Sequence, residues 1–295
     1  MPIHSEPYLI SKDFQDVMNF LRKNFEKRKD INLWPPPRFE GSHDKYPEYI
    51  RLWRKDENIV AVAVPENINV YFLHIDSDFI FLEPEIIQWV IEKGASLKKN
   101  TDSIQAIYIV TLEGNTGRIK SLECAGFHKH RIYGHYRVKD IHDPIPEVSL
   151  PEGYIFRSVK GPEDYPKLVE NVRLVFGHGE SFNEDVLELI SKYSFYKREL
   201  DLVIEAPDGS LAAFCTFRMD SDSGITELEP LGTHPDHRKK GLAKTLLFKG
   251  FERLNEYNPT YLYIDGAAYN PGAVKLYDNT SFMVKDTYYL WKKEL

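Results

Sequence analysis

Glu229-Pro-Leu-Gly-Thr-His-Pro-Asp-His-Arg238-Lys-Lys-Gly241-Leu-Ala243-Lys-Thr-Leu-Leu247 is the most informative stretch of this 295-residue chain. It reads as the end of a strand, a polar turn, three basic residues, a glycine and the start of an amphipathic helix. A turn from strand to helix leaves unpaired backbone N–H groups and the positive end of a helix dipole pointing one way. Gly241 lets a ligand approach the backbone closely, and Arg238, Lys239 and Lys240 add charge where phosphates sit. A basic helix start opposes the dipole, so the pattern calls for a bound anion; the plain alternative is a solvated turn. The dinucleotide fingerprint GxGxxG and the phosphate loop GxxxxGK[ST] are both absent.

Working outward, the second half reads as strands at 154–159, 202–206, 211–219, 225–231, 261–265 and around 284–291. Helices are expected at 162–176, 183–193, 241–257 and 272–280, and Asp208-Gly209 makes a hairpin turn. This is an α+β pattern with a mainly antiparallel sheet. The first half gives strands at 49–54, 59–64, 70–75 and 79–82 and a helix over 84–99 that starts at Pro84. The run from Asn32 through Trp34 and three prolines to Arg38 reads as a polyproline II segment packed on the surface.

Between the halves, Pro144, Pro146 and Pro151 mark a linker over 140–152, separating domains at 1–139 and 153–295. The halves echo each other at a single offset of 155. Asn115 and Phe127 match Asn270 and Phe282, Tyr108-Ile109 matches Tyr263-Ile264, and Tyr133 matches Tyr288. A tandem duplication follows, with two unrelated α/β domains as the alternative.

The spacing Arg238-x-x-Gly241-x-Ala243 resembles the [Q/R]-x-x-G-x-[G/A] pyrophosphate motif of the GNAT superfamily of N-acetyltransferases. Asn270-x-x-Ala273-x-x-Leu276-Tyr277-x4-Phe282 is similar to that family's second signature. The resemblance covers roughly 151–295 and extends weakly over the first half. It implies two tandem GNAT-like domains, each with a splayed central strand pair flanked by helices, and acetyl-CoA as cosubstrate. The resemblance further implies that backbone groups of Leu231, Gly232 and Thr233 pair with the pantetheine arm. Amides of Lys239, Lys240, Gly241, Leu242, Ala243 and Lys244 would hold the pyrophosphate, Arg238 would support the turn, and Asn270 would contact the pantetheine from the other side.

Direct attack on a thioester needs a neutral amine, and an alkylamine is largely protonated at neutral pH, so a base is required. Glu227 and Glu229 project to one face by the period of two, and Glu229 lies closer to the splay. Glu229 is the expected general base, directly or through water, against the alternative of a carboxylate ion-paired within the sheet. Tyr277 stands at the family's general-acid position and would protonate the leaving thiolate; ordinary core packing is its alternative.

Shifted by 155, the pyrophosphate motif lands on Glu83-Pro-Glu-Ile-Ile-Gln88, with no glycine, no basic residue and two carboxylates; Tyr277 lands on Leu122. The first domain is therefore expected to be a degenerate copy without the cofactor, and Arg118, matching Ala273, to be a surface helix residue. The acceptor is expected to be a primary amine of a small molecule or peptide. A non-catalytic acyl-CoA-binding sensor or interaction module is the alternative.

Composition narrows the remainder. A net charge of −7 argues against broad nucleic-acid binding, and no apolar run is long enough for a membrane helix, so a cytoplasmic protein is expected. Neither His128, His130 and His135 nor His234 and His237 have partners in metal-ligand spacing, and no metal is expected. Cys124 and Cys215 fall in apolar helix and strand patterns and read as buried thiols rather than nucleophiles.

Overall fold

The computed structural model describes residues 2–28, 34–100, 103–266 and 269–295. The first half forms β1 (Ile3–Pro7), α1 (Ile10–Arg28), α2 (Pro36–Glu40), β2 (Arg51–Lys55), β3 (Asn58–Asn67), β4 (Val70–Ile75), α3 (Glu83–Asn100), β5 (Ala106–Leu112), α4 (Thr116–Cys124) and β6 (His128–Lys139). The second forms β7 (Ile155–Ser158), α5 (Tyr165–Phe176), α6 (Glu184–Ile190), β8 (Asp201–Glu205), β9 (Leu211–Met219), β10 (Ile225–Thr233), α7 (Leu242–Asn255), β11 (Tyr261–Ile264), α8 (Pro271–Asp278) and β12 (Phe282–Glu294). One α+β order of strands and helices thus occurs twice. Residues 140–154 between the copies carry neither helix nor strand.

The compact units do not follow the sequence halves. One comprises Met1–Tyr136 with Val284–Leu295, and the other Arg137–Met283. In the first unit β1 to β4 pair antiparallel in sequence, β4 runs parallel to β5, and β5 is completed by an antiparallel β12. In the second unit β7 to β10 pair antiparallel, β10 runs parallel to β11, and β11 is completed by Arg137–Lys139 at the end of β6. The end of each copy's last strand therefore serves the other unit's sheet, and the boundaries expected at 139 and 295 both shift. The pairing of Tyr288 through Glu294 with β5 buries Tyr288, Leu290 and Trp291, and Trp291 joins the first unit's core.

Alternation along the second unit's strands sorts residues between two layers. Leu202 and Ile204 of β8 pack with Leu246, Phe248 and Phe251 of α7 on one face, while Val203 and Phe214 meet Leu168 and Val172 of α5 on the other. In the first unit, Ile86, Ile87 and Val90 of α3 cover Ala61, Ala63 and Tyr71 of the sheet. At about 25 cal/mol per Å² of apolar surface removed from water, these layers dominate the stability of each unit.

Four local expectations are corrected. Residues 79–82 are not a strand but lie in a 3₁₀ turn, Ser77–Leu82, because the Asp76 carboxylate accepts from the Asp78 N–H and starts a helical turn. Pro36 and Pro37 open the short helix α2, and Trp34, Pro36, Pro37 and Phe39 are buried, so the segment is not an exposed polyproline II strip; Asn32 and Leu33 lie outside the described residues. Cys124, at the end of α4, is exposed, whereas Cys215 is buried. Arg118 is half-buried in an ion pair rather than a solvated surface residue, as shown below. Among the described residues no helix is long and apolar enough to cross a membrane.

Candidate functional site

Strands β10 and β11 run together only where Ile225–Glu227 meets Tyr261–Tyr263. Beyond that point β10 continues to Thr233 with β9 on one side and, among the described residues, an open edge on the other. Its register also shifts: Leu228 faces Phe217 and Leu231 faces Cys215, so β10 takes one extra residue at Glu229-Pro230. Pro230 has no N–H to give a ladder, which suits an interrupted edge, and the Glu229-Pro230 peptide is cis. Gly232 has a different reason to be glycine: a Cβ there would stand 2.3 Å from Cζ of Phe214.

The turn after β10 feeds α7. Arg238 Nε donates to the Thr233 carbonyl at 3.2 Å, tying the turn back to the strand. Lys239 and Gly241 both have positive φ, 63° and 77°, and nothing lies within 4 Å of where a Cβ on Gly241 would sit. Alternating left-handed residues turn successive N–H groups toward one concavity. No side chain caps α7, so the amides of Gly241 through Lys244 have no intrahelical acceptor, and its first turn holds no acidic residue. Lys240 Nζ donates to the Tyr154 hydroxyl at 3.1 Å, and that hydroxyl also meets Nδ1 of His237 at 3.0 Å. Burial, then Lys240 and His234, holds the His237 imidazole below its usual pKa.

A cleft of about 660 Å³ runs along this open edge, bordered by Leu231, Gly232 and Thr233, by Arg238 to Lys244 without Lys240, and by Asn270 and Tyr277. Lys240 stands at the turn beside it. Asn270 caps α8, its Oδ1 accepting from the N–H groups of Gly272 and Ala273 at 3.1 and 3.2 Å. The side-chain oxygen is thereby committed to the fold, leaving the amide nitrogen as its free polar function. Tyr277 is only 7% exposed, its ring edge-on to Phe282 with the Arg137 guanidinium 6.0 Å from its centroid. Burial, reinforced by the nearby Glu229 charge, holds its phenol well above the usual range.

Glu229 opens onto a second cavity of about 410 Å³. Phe176 borders both spaces. Tyr165, Leu168 and Val172 of α5, Phe182, and Leu187 and Ile190 of α6 form its apolar wall, and Asp201, Thr216 and Arg218 join Glu229 on the sheet side. Glu227 is on the same face but buried, its carboxylate 4.0 Å from Arg218. Of the two carboxylates, only Glu229 reaches the cavity. Asp201, which sequence reading missed, accepts from Thr216 Oγ1 at 2.8 Å and Tyr196 OH at 2.9 Å, and burial raises its pKa to about 6. The available signal was Thr216 and Arg218, polar interruptions at period two in an otherwise apolar β9.

The first unit has a similar strand split. β4 and β5 also pair for only two residues, Val70 and Tyr71. There, however, Arg118 on α4 donates from Nη1 to the Leu73 carbonyl at 2.9 Å and from Nε to Glu83 at 2.6 Å. Helix α3 begins at Glu83, a turn earlier than α7 at the same offset, and Glu83 and Glu85 complement its dipole. The position matching Glu229 is His74, buried and held far below its usual pKa, at about 3. None of the histidines expected to be non-ligating lies in a group of three potential metal ligands among the described residues.

Two α+β units, one with a cationic helix N-terminus beside a split strand pair, define the class of the fold. Residues 170–282 match the model of the Acetyltransferase (GNAT) family, and this segment of the chain is similar to that family of acyltransferases. The chain is similar to the mycothiol acetyltransferase of Kineococcus radiotolerans, 32% identical over 127 residues, covering 42% of this chain and 40% of that protein. Across the curated relatives matched, the chain spans between 40% and 58% of their length. Among solved structures, a GCN5-related N-acetyltransferase from Sphaerobacter thermophilus aligns over 99% of this chain and 95% of its own, with TM-score 0.72 and 17% identity. A tandem GNAT protein from the clavulanic acid biosynthesis pathway aligns over 99% and 98%, with TM-score 0.72 and 13% identity. Both likenesses concern the fold, and the second includes its duplication.

Proposed function

We propose that this chain transfers an acetyl group from acetyl-CoA to a primary amine in its second unit, and that the first unit holds no cofactor. The observation that carries the reading is the uncapped, basic start of α7 next to the open edge of β10. The match of the segment to the acetyltransferase family model and its likeness to mycothiol acetyltransferases support acetyl transfer. The residues present fit a pyrophosphate and a pantetheine arm. Amides from Lys239 to Lys244 supply donors to the phosphates, and Lys239, Lys240 and Lys244 supply charge. Backbone groups of Leu231 to Thr233 take the amides of the arm as an added strand, and the Asn270 amide nitrogen donates to it from across the split.

Glu229 takes one proton from the acceptor ammonium, directly or through water, and frees the lone pair that attacks the thioester carbonyl. The C–N bond forms as the carbonyl electrons move to oxygen. On collapse the C–S bond breaks and sulfur receives a proton from the Tyr277 hydroxyl. The second nitrogen proton restores Tyr277, and Glu229 releases the first to solvent. Burial holds the Tyr277 phenol above its usual pKa, so it carries its proton at neutral pH; a thiolate is the weaker base, and the transfer to it is driven by the second nitrogen proton passing to the tyrosine oxygen. The Tyr277 and Glu229 placements favour an enzyme over a passive acyl-CoA sensor.

Calorimetric titration of the full chain with acetyl-CoA tests the reading. One site per chain is expected, with thiol release when an amine is added. Two sites would show that the first unit binds after all, and an absence of binding would remove acetyl-CoA from the function.

A further inference from the structure

The acceptor side of the site has its own chemistry, carried by the cavity beside Glu229. We infer that this cavity takes a small primary amine on an apolar body, with Asp201 a specificity-determining residue for its cation; this rests on the acetyl-transfer reading above. A volume of about 410 Å³ suits a small molecule and not a folded partner. Its apolar wall offers Leu168, Val172, Phe182 and Leu187, which would strip water from the hydroxyls of a sugar and return no hydrogen bonds.

The polar groups are confined to the sheet side and are arranged in a row. Asp201 is in register with Thr216, and Thr216 lies between Cys215 and Phe217, whose β10 partners bracket Glu229-Pro230. The two carboxylates thus stand on β8 and β10, two strand spacings or roughly 10 Å apart at the backbone. Arg218 is the cation among them, and its guanidinium faces Glu227 at 4.0 Å. Tyr196 and Thr216 hydrogen-bond Asp201 with neutral hydroxyls, and the Arg218 charge also bears on it and favours its ionised form. His178, stacked on Phe182, completes the titratable lining with Tyr165. Negative charge on an apolar cage selects a cation whose remainder is apolar.

The test is calorimetry on the full chain, with and without saturating CoA, using 2-phenylethylamine, 2-phenylethanol and glucosamine. The amine should bind at least about tenfold more tightly than the other two, and Asp201→Asn should weaken it about tenfold. Ile190→Trp, which narrows the cavity without touching Asp201, should also weaken it and decides the matter if circular dichroism shows Asp201→Asn unfolded. Glucosamine binding as tightly as 2-phenylethylamine, or an affinity unmoved by either folded variant, overturns the assignment. Acetyl-CoA titrated alongside separates the two readings. Amine binding without acetyl-CoA binding removes acetyl transfer and leaves the cavity assignment standing, whereas acetyl-CoA binding with no amine preference removes the cavity assignment alone.

Discussion

Arg118 and Glu83 form an ion pair at 2.6 Å, with side chains only 11% and 6% exposed, at the positions that match Ala273 and Arg238 of the second unit. The first unit thereby fills its own strand split: the guanidinium satisfies the Leu73 carbonyl on the open edge, and the carboxylate sits at the start of a helix that elsewhere is left bare. A small residue at 273 and a tied-back arginine at 238 leave the corresponding space open in the other unit.

Breaking that pair should destabilise the chain without creating a nucleotide site. Arg118→Ala leaves a buried carboxylate and should cost about 3 kcal/mol or more in urea unfolding. Acetyl-CoA stoichiometry in the same variant should stay at one per chain, because Glu83 and Glu85 still repel phosphate; a second site would show that Arg118 alone excludes it.

Gly241 carries a φ of 77° facing open space, so a side chain there strains the backbone and enters the cleft. Gly241→Val should raise the acetyl-CoA Kd about tenfold or more and lower stability by about 1–2 kcal/mol. Equal affinity in the variant would separate the loop from the cofactor.

Asn270 offers a clean separation of fold from function. Asn270→Ala loses the α8 cap and should cost about 1 kcal/mol, whereas Asn270→Asp keeps an acceptor for Gly272 and Ala273. If the amide nitrogen serves pantetheine, Asn270→Asp raises the KM for acetyl-CoA while the melting temperature holds.

Tyr277→Phe removes only the hydroxyl from a buried ring that packs on Phe282. kcat should fall about a hundredfold with the acetyl-CoA Kd unchanged. Unchanged turnover would return Tyr277 to the core.

Asp201 gives the stability a pH signature. Folded, its pKa is about 6, against about 3.9 in an unfolded chain, so between those values the folded state binds more protons and stability falls as pH rises. Tyr196 and Thr216 hydroxyls, Arg218 and Asp164 are the groups that bear on it. Asp201→Asn should therefore gain in melting temperature relative to the natural chain from about pH 4 to about pH 7. A constant difference across that range would show that Asp201 is ionised throughout.

The sequence made the site legible wherever backbone geometry depends on residue type. The turn from Arg238 to Lys244 is found where its glycine and lysines predicted it, and the strand limits of β4, 70–75, coincide with the expected ones. Less visible were features that depend on partners far along the chain. Arg118 looked solvated because nothing local reveals Glu83 and Leu73 beside it. Asp201 carries no motif; it becomes part of a cavity only through its register with Thr216. The exchange of β6 and β12 was hidden by the duplication itself, since two strands of equivalent pattern fit either sheet.

That exchange bears on how such a protein can evolve. A gene cut at the proline-rich linker would yield two products, each lacking the strand residues that flank its parallel pair and each ending in strand residues that pair with the other. Deletion of either copy would expose a bare sheet edge, a hazard for aggregation. A copy whose strand split is bridged by Arg118 would in this way be retained by its sibling's need for one strand, and be free to diverge everywhere else.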